Sequence, residues 1–172
     1  MSSDLRADLA ERVAGRTCVV GIGDRYWGDD GLGVVLAEAL QARNCPNVLV
    51  TDNTPENWIG RIAQGGFDRV LLLDAVEHPG EAGSVVLLES GQLRSRFPQV
   101  STHKLSLGTL ATLIQNQCRA EVWCLGVKPA SLAPGTGLSQ PVKTTLQVLE
   151  KVLLEVLTNR AQAVSERRNE LR

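Results

Sequence analysis

Carboxylates and one imidazole are the side chains whose spacing in this chain suggests chemistry. The stretch GIGDRYWGDDGLG at residues 21–33 crowds Asp24, Asp29 and Asp30 among glycines. Asp74 directly follows the apolar run Val70-Leu71-Leu72-Leu73, and His103 lies in VSTHKLSLGTL, at the start of an amphipathic segment. Glycines permit positive φ and close backbone approach, and the N–H groups that open a following helix favour anions, so the first stretch could cradle a phosphate. Three carboxylates in one loop oppose that, because they repel a phosphate unless a cation lies between them. A G-x-G-x-x-G fingerprint also needs glycine where Tyr26 stands, and the Gly-Lys-Ser/Thr ending of a P-loop is missing. Asp52 falls about where a ribose-binding acid is expected, which keeps a nucleotide-binding α/β module as an alternative.

Each of these residues has a plainer role open to it. Asp29 or Asp30 can cap a helix, Asp74 can end a strand by accepting backbone N–H groups, and His103 can be a surface residue after a Ser101 or Thr102 cap. Together they offer more: a carboxylate of the first loop, Asp74 and His103 would project to one rim from separate loops. Two oxygens and one nitrogen suit a divalent ion such as nickel or zinc, with positions left for substrate or water. The dipole at a helix N-terminus also discourages protonation of the imidazole, which keeps it available as a ligand. The expectation is a shallow, open site of partly exposed ligands that holds metal weakly. Trp27, beside Asp29 and Asp30, either packs under the loop or faces a substrate.

The elements that must carry these side chains follow from hydrophobic period. Apolar runs at 17–22, 48–51, 69–73, 84–88 and 121–126, bounded by Gly, Asp or Pro, predict five strands buried on both faces. Leu32, Val35, Leu36, Ala39 and Leu40 form one helical stripe, and Trp58, Ile59, Ile62 and Ala63 a second, with Thr54 as N-cap and Pro55 at the first helical position. Leu107, Leu110, Ala111 and Ile114 form a third. Val142, Leu146, Leu149, Leu153, Val156 and Leu157 form the longest, after Pro141. About eight residues separate the third and fourth strands, fewer than the dozen or so a parallel crossover needs, so the fourth should run antiparallel to the third. The predicted fold is α/β: three layers, a mostly parallel five-stranded sheet with one antiparallel strand and helices on both faces, its sites outside the carboxyl ends of the strands.

Composition bounds the rest. The 172 residues suit a single domain, 1–172, with its core at about 17–157 and a polar, flexible C-terminal tail. Eighteen basic against nineteen acidic residues give a net charge of −1, no electrostatic footprint for nucleic acid. No stretch approaches the ~20 apolar residues of a membrane span, and the start has no leader pattern, so a cytoplasmic protein is expected. Cys18, Cys45, Cys118 and Cys124 lack C-x-x-C spacing and are expected as buried free thiols. His78 is expected as a solvated loop residue.

GIGDRYWGDDGLG before an amphipathic helix, LLLDAV, VSTHKLSL and WCLGVKPASLAPGTGLSQPV, in that order over about 17–157, resemble the hydrogenase maturation endopeptidases. The sequence Thr54-Pro55-Glu56-Asn57 and the Thr102-His103 pair are most similar to the branch that serves the hydrogenase of formate hydrogenlyase. This resemblance implies a cytoplasmic, monomeric, aspartic-type endopeptidase. It would inspect nickel in the large-subunit precursor of a nickel-iron hydrogenase and remove a C-terminal extension. It places the metal contacts on Asp30, Asp74 and His103 and a further acid for cleavage on Asp52, making Asp52, Asp30 and Asp74 the catalytic candidates. Nickel would arrive with the precursor, and zinc or cadmium could replace it in vitro. A non-catalytic chaperone that binds nickel or the precursor is a further alternative.

Two departures from the family pattern stand out: Asp24 occupies a position usually held by asparagine, and the loop after Asp52 is shorter and lacks the usual glycine. Either the metal polarises the scissile carbonyl or acidifies a bound water, or a carboxylate such as Asp52 activates water while nickel serves as a recognition handle; the second is preferred. There is no G-x-S-x-G, no H-E-x-x-H and no cysteine placed beside a histidine, so serine, zincin and cysteine protease schemes have nothing to attach to.

Overall fold

A computed structural model of the chain describes residues 4–96 and 105–170. The Val- and Leu-rich runs become β1 (Thr17–Ile22), β2 (Val48–Asp52), β3 (Arg69–Ala75), β4 (Val85–Glu89) and β5 (Glu121–Val127). They make one sheet in the order β2-β1-β3-β5-β4, parallel except for β4, which pairs antiparallel with β5. The short connection after β3 reverses the chain as predicted. It delivers β4 to the sheet edge, however, and β5, arriving later by a crossover, takes the place beside β3.

Alternation of side chains along the strands splits the interior into two cores. Val19, Leu71 and Leu73 face one side, with Leu9 of α1 (Leu5–Arg12), Leu36 and Leu40 of α2 (Leu32–Ala42) and Leu149 and Leu153 of α6 (Gln140–Glu170). Cys18, Val20, Val70 and Leu72 face the other, with Ile62 of α3 (Ile59–Gln64), Leu93 of α4 (Ser90–Arg96) and Leu110 and Ile114 of α5 (Leu107–Gln117). The architecture is the three-layer α/β fold expected.

Several local features differ from the sequence expectation. Helices α1 and α4 are additional; α1 is capped by Asp4, whose side chain accepts a hydrogen bond from Arg6 N, and α1 with its C-cap Val13 sends Leu9 and Val13 into the core upstream of position 17. Pro55–Trp58 is a 3-10 turn, so α3 begins only at Ile59, and the Thr54 side chain caps nothing. Its hydroxyl donates to the Thr51 carbonyl instead, at 3.4 Å. The backbone of α6 stays helical to Glu170 through the polar stretch where fraying is predicted; Ala, Gln, Glu and Arg favour helix, and neither Gly nor Pro follows Pro141. The four thiols are free; Cys18, Cys45 and Cys124 are buried, and Cys118 is only partly so. Among the described residues no helix is long and apolar enough to cross a membrane.

Strand order fixes where a site can form. From β1 the chain goes to β2 on one side, and the next strand, β3, lies on the other side of β1, which opens a crevice at their carboxyl ends. Helix α2 starts directly over that crevice because Gly33 allows it. A Cβ at Gly33 would lie 2.0 Å from the Leu73 carbonyl oxygen and 2.3 Å from that of Ile22.

Candidate functional site

The loop after β1 folds back on itself over Gly23, whose φ is 140° and where a Cβ would lie 1.8 Å from the Asp30 carbonyl oxygen. The fold-back lets Asp24 N donate to Asp30 Oδ2 at 2.8 Å. Asp24 in turn accepts from Tyr26 N through Oδ1 at 2.9 Å, a bond that an asparagine side chain makes equally well. The family departure at Asp24 therefore leaves this turn's bonding intact and adds a negative charge.

Adjacent Asp29 and Asp30, interchangeable in the sequence, have separate environments. Asp29 is completely buried and accepts four hydrogen bonds from the segment after β5: Ala130 N at 2.8 Å, Ser131 N at 3.0 Å, Ser139 N at 2.6 Å and the Ser139 hydroxyl at 2.8 Å. Asp30, 3% exposed, lines a cleft of about 360 Å³ together with Asp24, Trp27, Asn53 and Leu132. Carboxylates on one wall of this cleft would repel a phosphate, which weighs against the nucleotide alternative.

Asp74 lies at the carboxyl end of β3, 1% exposed, with Oδ1 accepting from Ala75 N at 2.9 Å. Strand β3 continues through it to Ala75, so Asp74 does not terminate the strand. Its register partner on β5 is Gly126. Burial, reinforced by the Asp74 carboxylate, pushes the nearby Cys124 thiol well above its ordinary range, leaving that cysteine an inert core residue. The 3-10 turn Gly28–Gly31, which carries Asp30, packs against β3, so the two acids come from neighbouring elements at the crevice. Both are buried rather than partly exposed, because the fold-back and the start of α2 cover the strand ends.

Asp52 closes β2 in a left-handed conformation, φ 50°, with its side chain exposed and its carbonyl accepting from Gly23 N at 3.0 Å. It does not itself line the cleft; its neighbour Asn53 does. His103 lies outside the described residues, and α5, which begins four positions later, is capped by Ser106. Among the described residues no three His, Cys, Asp or Glu side chains form a metal-binding group. The chemistry of two carboxylates, Asp30 and Asp74, at one crevice still suits a hard or borderline divalent ion. His78 is half-buried, its ring nitrogens 2.8 Å from the Pro79 carbonyl oxygen and 3.2 Å from that of Ser84, so it belongs to its own loop rather than to solvent.

Sequence reasoning missed two cleft residues. Asn53 and Leu132 each lie in loops without periodicity, and only the second had a signal, as an apolar residue in a Pro- and Gly-rich segment. Trp27 does not pack under the loop: it is 43% exposed, set edge-on against Tyr26 with ring centroids 5.3 Å apart, and it lines the cleft.

Comparison with known proteins gives a consistent set of matches. A family model described as HycI, hydrogenase maturation protease, matches residues 34–156. The Hydrogenase 3 maturation protease of Escherichia coli is 28% identical over 130 residues, covering 74% of this chain and 82% of the relative. The Hydrogenase 2 maturation protease of the same organism is 25% identical over 158 residues, covering 87% and 95% respectively. The crystal structure of a NiFe hydrogenase maturation protease, HycI, from Thermococcus kodakarensis superimposes with a TM-score of 0.77 at 28% identity, covering 88% of this chain and 99% of that one.

Proposed function

The chain belongs to the hydrogenase maturation protease family, and on that premise we propose that it is the endopeptidase that trims the C-terminal extension from the large-subunit precursor of a nickel-iron hydrogenase. The observation that carries this reading is the pair of buried carboxylates, Asp30 and Asp74, delivered by β1 and β3 to the one crevice where this strand order places a ligand.

In this account nickel comes with the precursor as part of the substrate. Asp30, Asp74 and His103 are its protein contacts, and zinc or cadmium takes the same position in vitro. An ion held by both protein and precursor explains why a free chain would bind metal weakly and a loaded precursor strongly. Cleavage is of the aspartic type. Asp52, the exposed acid at the neighbouring strand end, takes a proton from water; the water oxygen adds to the scissile carbonyl carbon, and the C–N bond breaks as the proton passes to the leaving amine. Asp30 and Asp74 hold the substrate end in register with that water. The enzyme acts in the cytoplasm, as a monomer, before the large subunit closes around its metal.

The test is incubation of purified precursor, nickel-loaded and nickel-free, with the protein, followed by intact mass. Loss of the extension from the loaded form alone is expected. A loaded precursor that keeps its full mass would overturn the proposal, and a stable complex without cleavage would favour the chaperone alternative.

A further inference from the structure

The four exposed large hydrophobic residues of the described chain are Tyr26, Trp27, Leu132 and Val148, and three of them gather at one place. Trp27 and Leu132 line the cleft that holds Asp30, and Tyr26 stacks edge-on against Trp27. Such a patch beside an acidic wall gives the cleft two unlike halves, one for a cation and one for an apolar side chain. The apolar half is itself assembled from two segments about a hundred positions apart, one carrying Tyr26 and Trp27 and the other Leu132, so something must hold them together.

Asp29 does so. Its carboxylate, completely buried, takes all four of its hydrogen bonds from Ala130, Ser131 and Ser139, the two flanks of the segment that carries Leu132. Backbone bonds join the same two segments: Asp29 N donates to the Ser131 carbonyl at 2.9 Å, and Gly135 N donates to the Tyr26 carbonyl at 2.7 Å. Gly28, with φ 57°, allows the approach; a Cβ there would lie 2.6 Å from the Ser131 carbonyl oxygen. A buried anion bonded to three backbone N–H groups and a hydroxyl is strong and directional, and it fixes the segment as a unit.

We propose that Asp29 is a positioning residue that sets segment 130–139 as the apolar wall of the substrate cleft, where Leu132 and Trp27 together clasp an apolar side chain of the precursor next to the cleaved bond. This inference rests on the proteolytic function proposed above for the choice of partner. Asp29 touches no substrate; it acts through the position of Leu132.

The experiment uses the nickel-loaded precursor as probe and measures its Kd and its cleavage kinetics separately. Leu132→Ala, at a surface position that costs the fold little, is expected to raise Kd and KM about tenfold while kcat stays within about twofold. Asp29→Asn is expected to shift KM in the same direction and to accelerate hydrogen exchange at the amides of Ala130, Ser131 and Ser139, leaving α2 protected as in wild type. Should Asp29→Asn fail to fold, Ser139→Ala, which removes one of the four bonds, and Ser139→Thr, which keeps the hydroxyl, replace it; the first should loosen the same amides and the second should not. Unchanged Kd for Leu132→Ala, a fall in its kcat alone, or unchanged exchange at 130–139 when the Asp29 bonds are cut would overturn the proposal. If wild type binds the precursor without cutting it, the proteolytic function fails while the Kd and exchange measurements still decide the role of Asp29.

Discussion

Ser139 is tied to Asp29 across 110 positions of sequence by two hydrogen bonds, its backbone N to Oδ1 at 2.6 Å and its hydroxyl to Oδ2 at 2.8 Å. With Ala130 and Ser131 on the same carboxylate, this bond set makes Asp29 a structural anchor, while Asp30 beside it faces the cleft. Replacing Asp29 by Ala removes four part-buried hydrogen bonds to one buried carboxylate and should cost about 3 kcal/mol of stability. Asp30→Asn keeps an acceptor for Asp24 N and should cost under ~1 kcal/mol. Urea denaturation midpoints of the two variants check the contrast; equal losses would contradict it.

Function should divide the other way. Asp30→Asn and Asp74→Asn are expected to slow precursor cleavage by at least ~100-fold, the scale of losing a positioned charged group, with far-UV circular dichroism unchanged. His103→Gln in the same mass-based assay tests the third contact. Normal cleavage by all three variants would remove the assigned site.

Glycine at position 33 is a packing requirement for the crevice. A methyl group there meets two backbone carbonyl oxygens, Leu73 and Ile22, which cannot swing aside as a side chain would. Gly33→Ala should therefore destabilise by about 2–3 kcal/mol, or prevent folding, despite the higher helix propensity of alanine. A variant as stable as wild type would show that α2 does not start against the strand ends.

Alkaline pH should weaken the fold through its buried thiols. Burial, partly offset by the Arg61 guanidinium, pushes Cys18 up to about 12 from 9.0, and burial also raises Cys45. A folded pKa above the unfolded one means that stability is fully present below pH 9 and is lost between 9 and about 12, as the unfolded chain releases a proton that the folded chain keeps. Over that window wild type should lose about 1.4 kcal/mol per pH unit more than Cys18→Ala. Parallel pH profiles for the two proteins would refute this. At neutral pH, alkylation should mark the partly exposed Cys118 first.

The sheet was legible in the sequence because strands buried on both faces are continuous apolar runs, as at Val70 to Leu73, bounded by residues that stop them. The direction of β4 was legible from the short connection before it, but its place at the edge was not, since no local pattern of period or loop length marks which strand fills the gap beside β3. Helices α1 and α4 escaped notice because each buries few side chains, Leu9 and Leu93, and lacks a long stripe. The acids of the site could be named, yet Asp29 and Asp30 are the same residue type at adjacent positions. Only the docking of residues 130–139 separates the anchor from the cleft residue. Asn53 and Leu132 are single loop residues, for which sequence offers no period to detect.

Cleavage of a hydrogenase large subunit near its C-terminus is the step proposed for this chain. Its most direct test is the intact mass of that subunit purified from cells with and without the protein. A subunit that retains its C-terminal extension is expected when the protein is missing, with the shorter mass restored by wild type but not by Asp30→Asn. A subunit of the same shortened mass in both cells would contradict it.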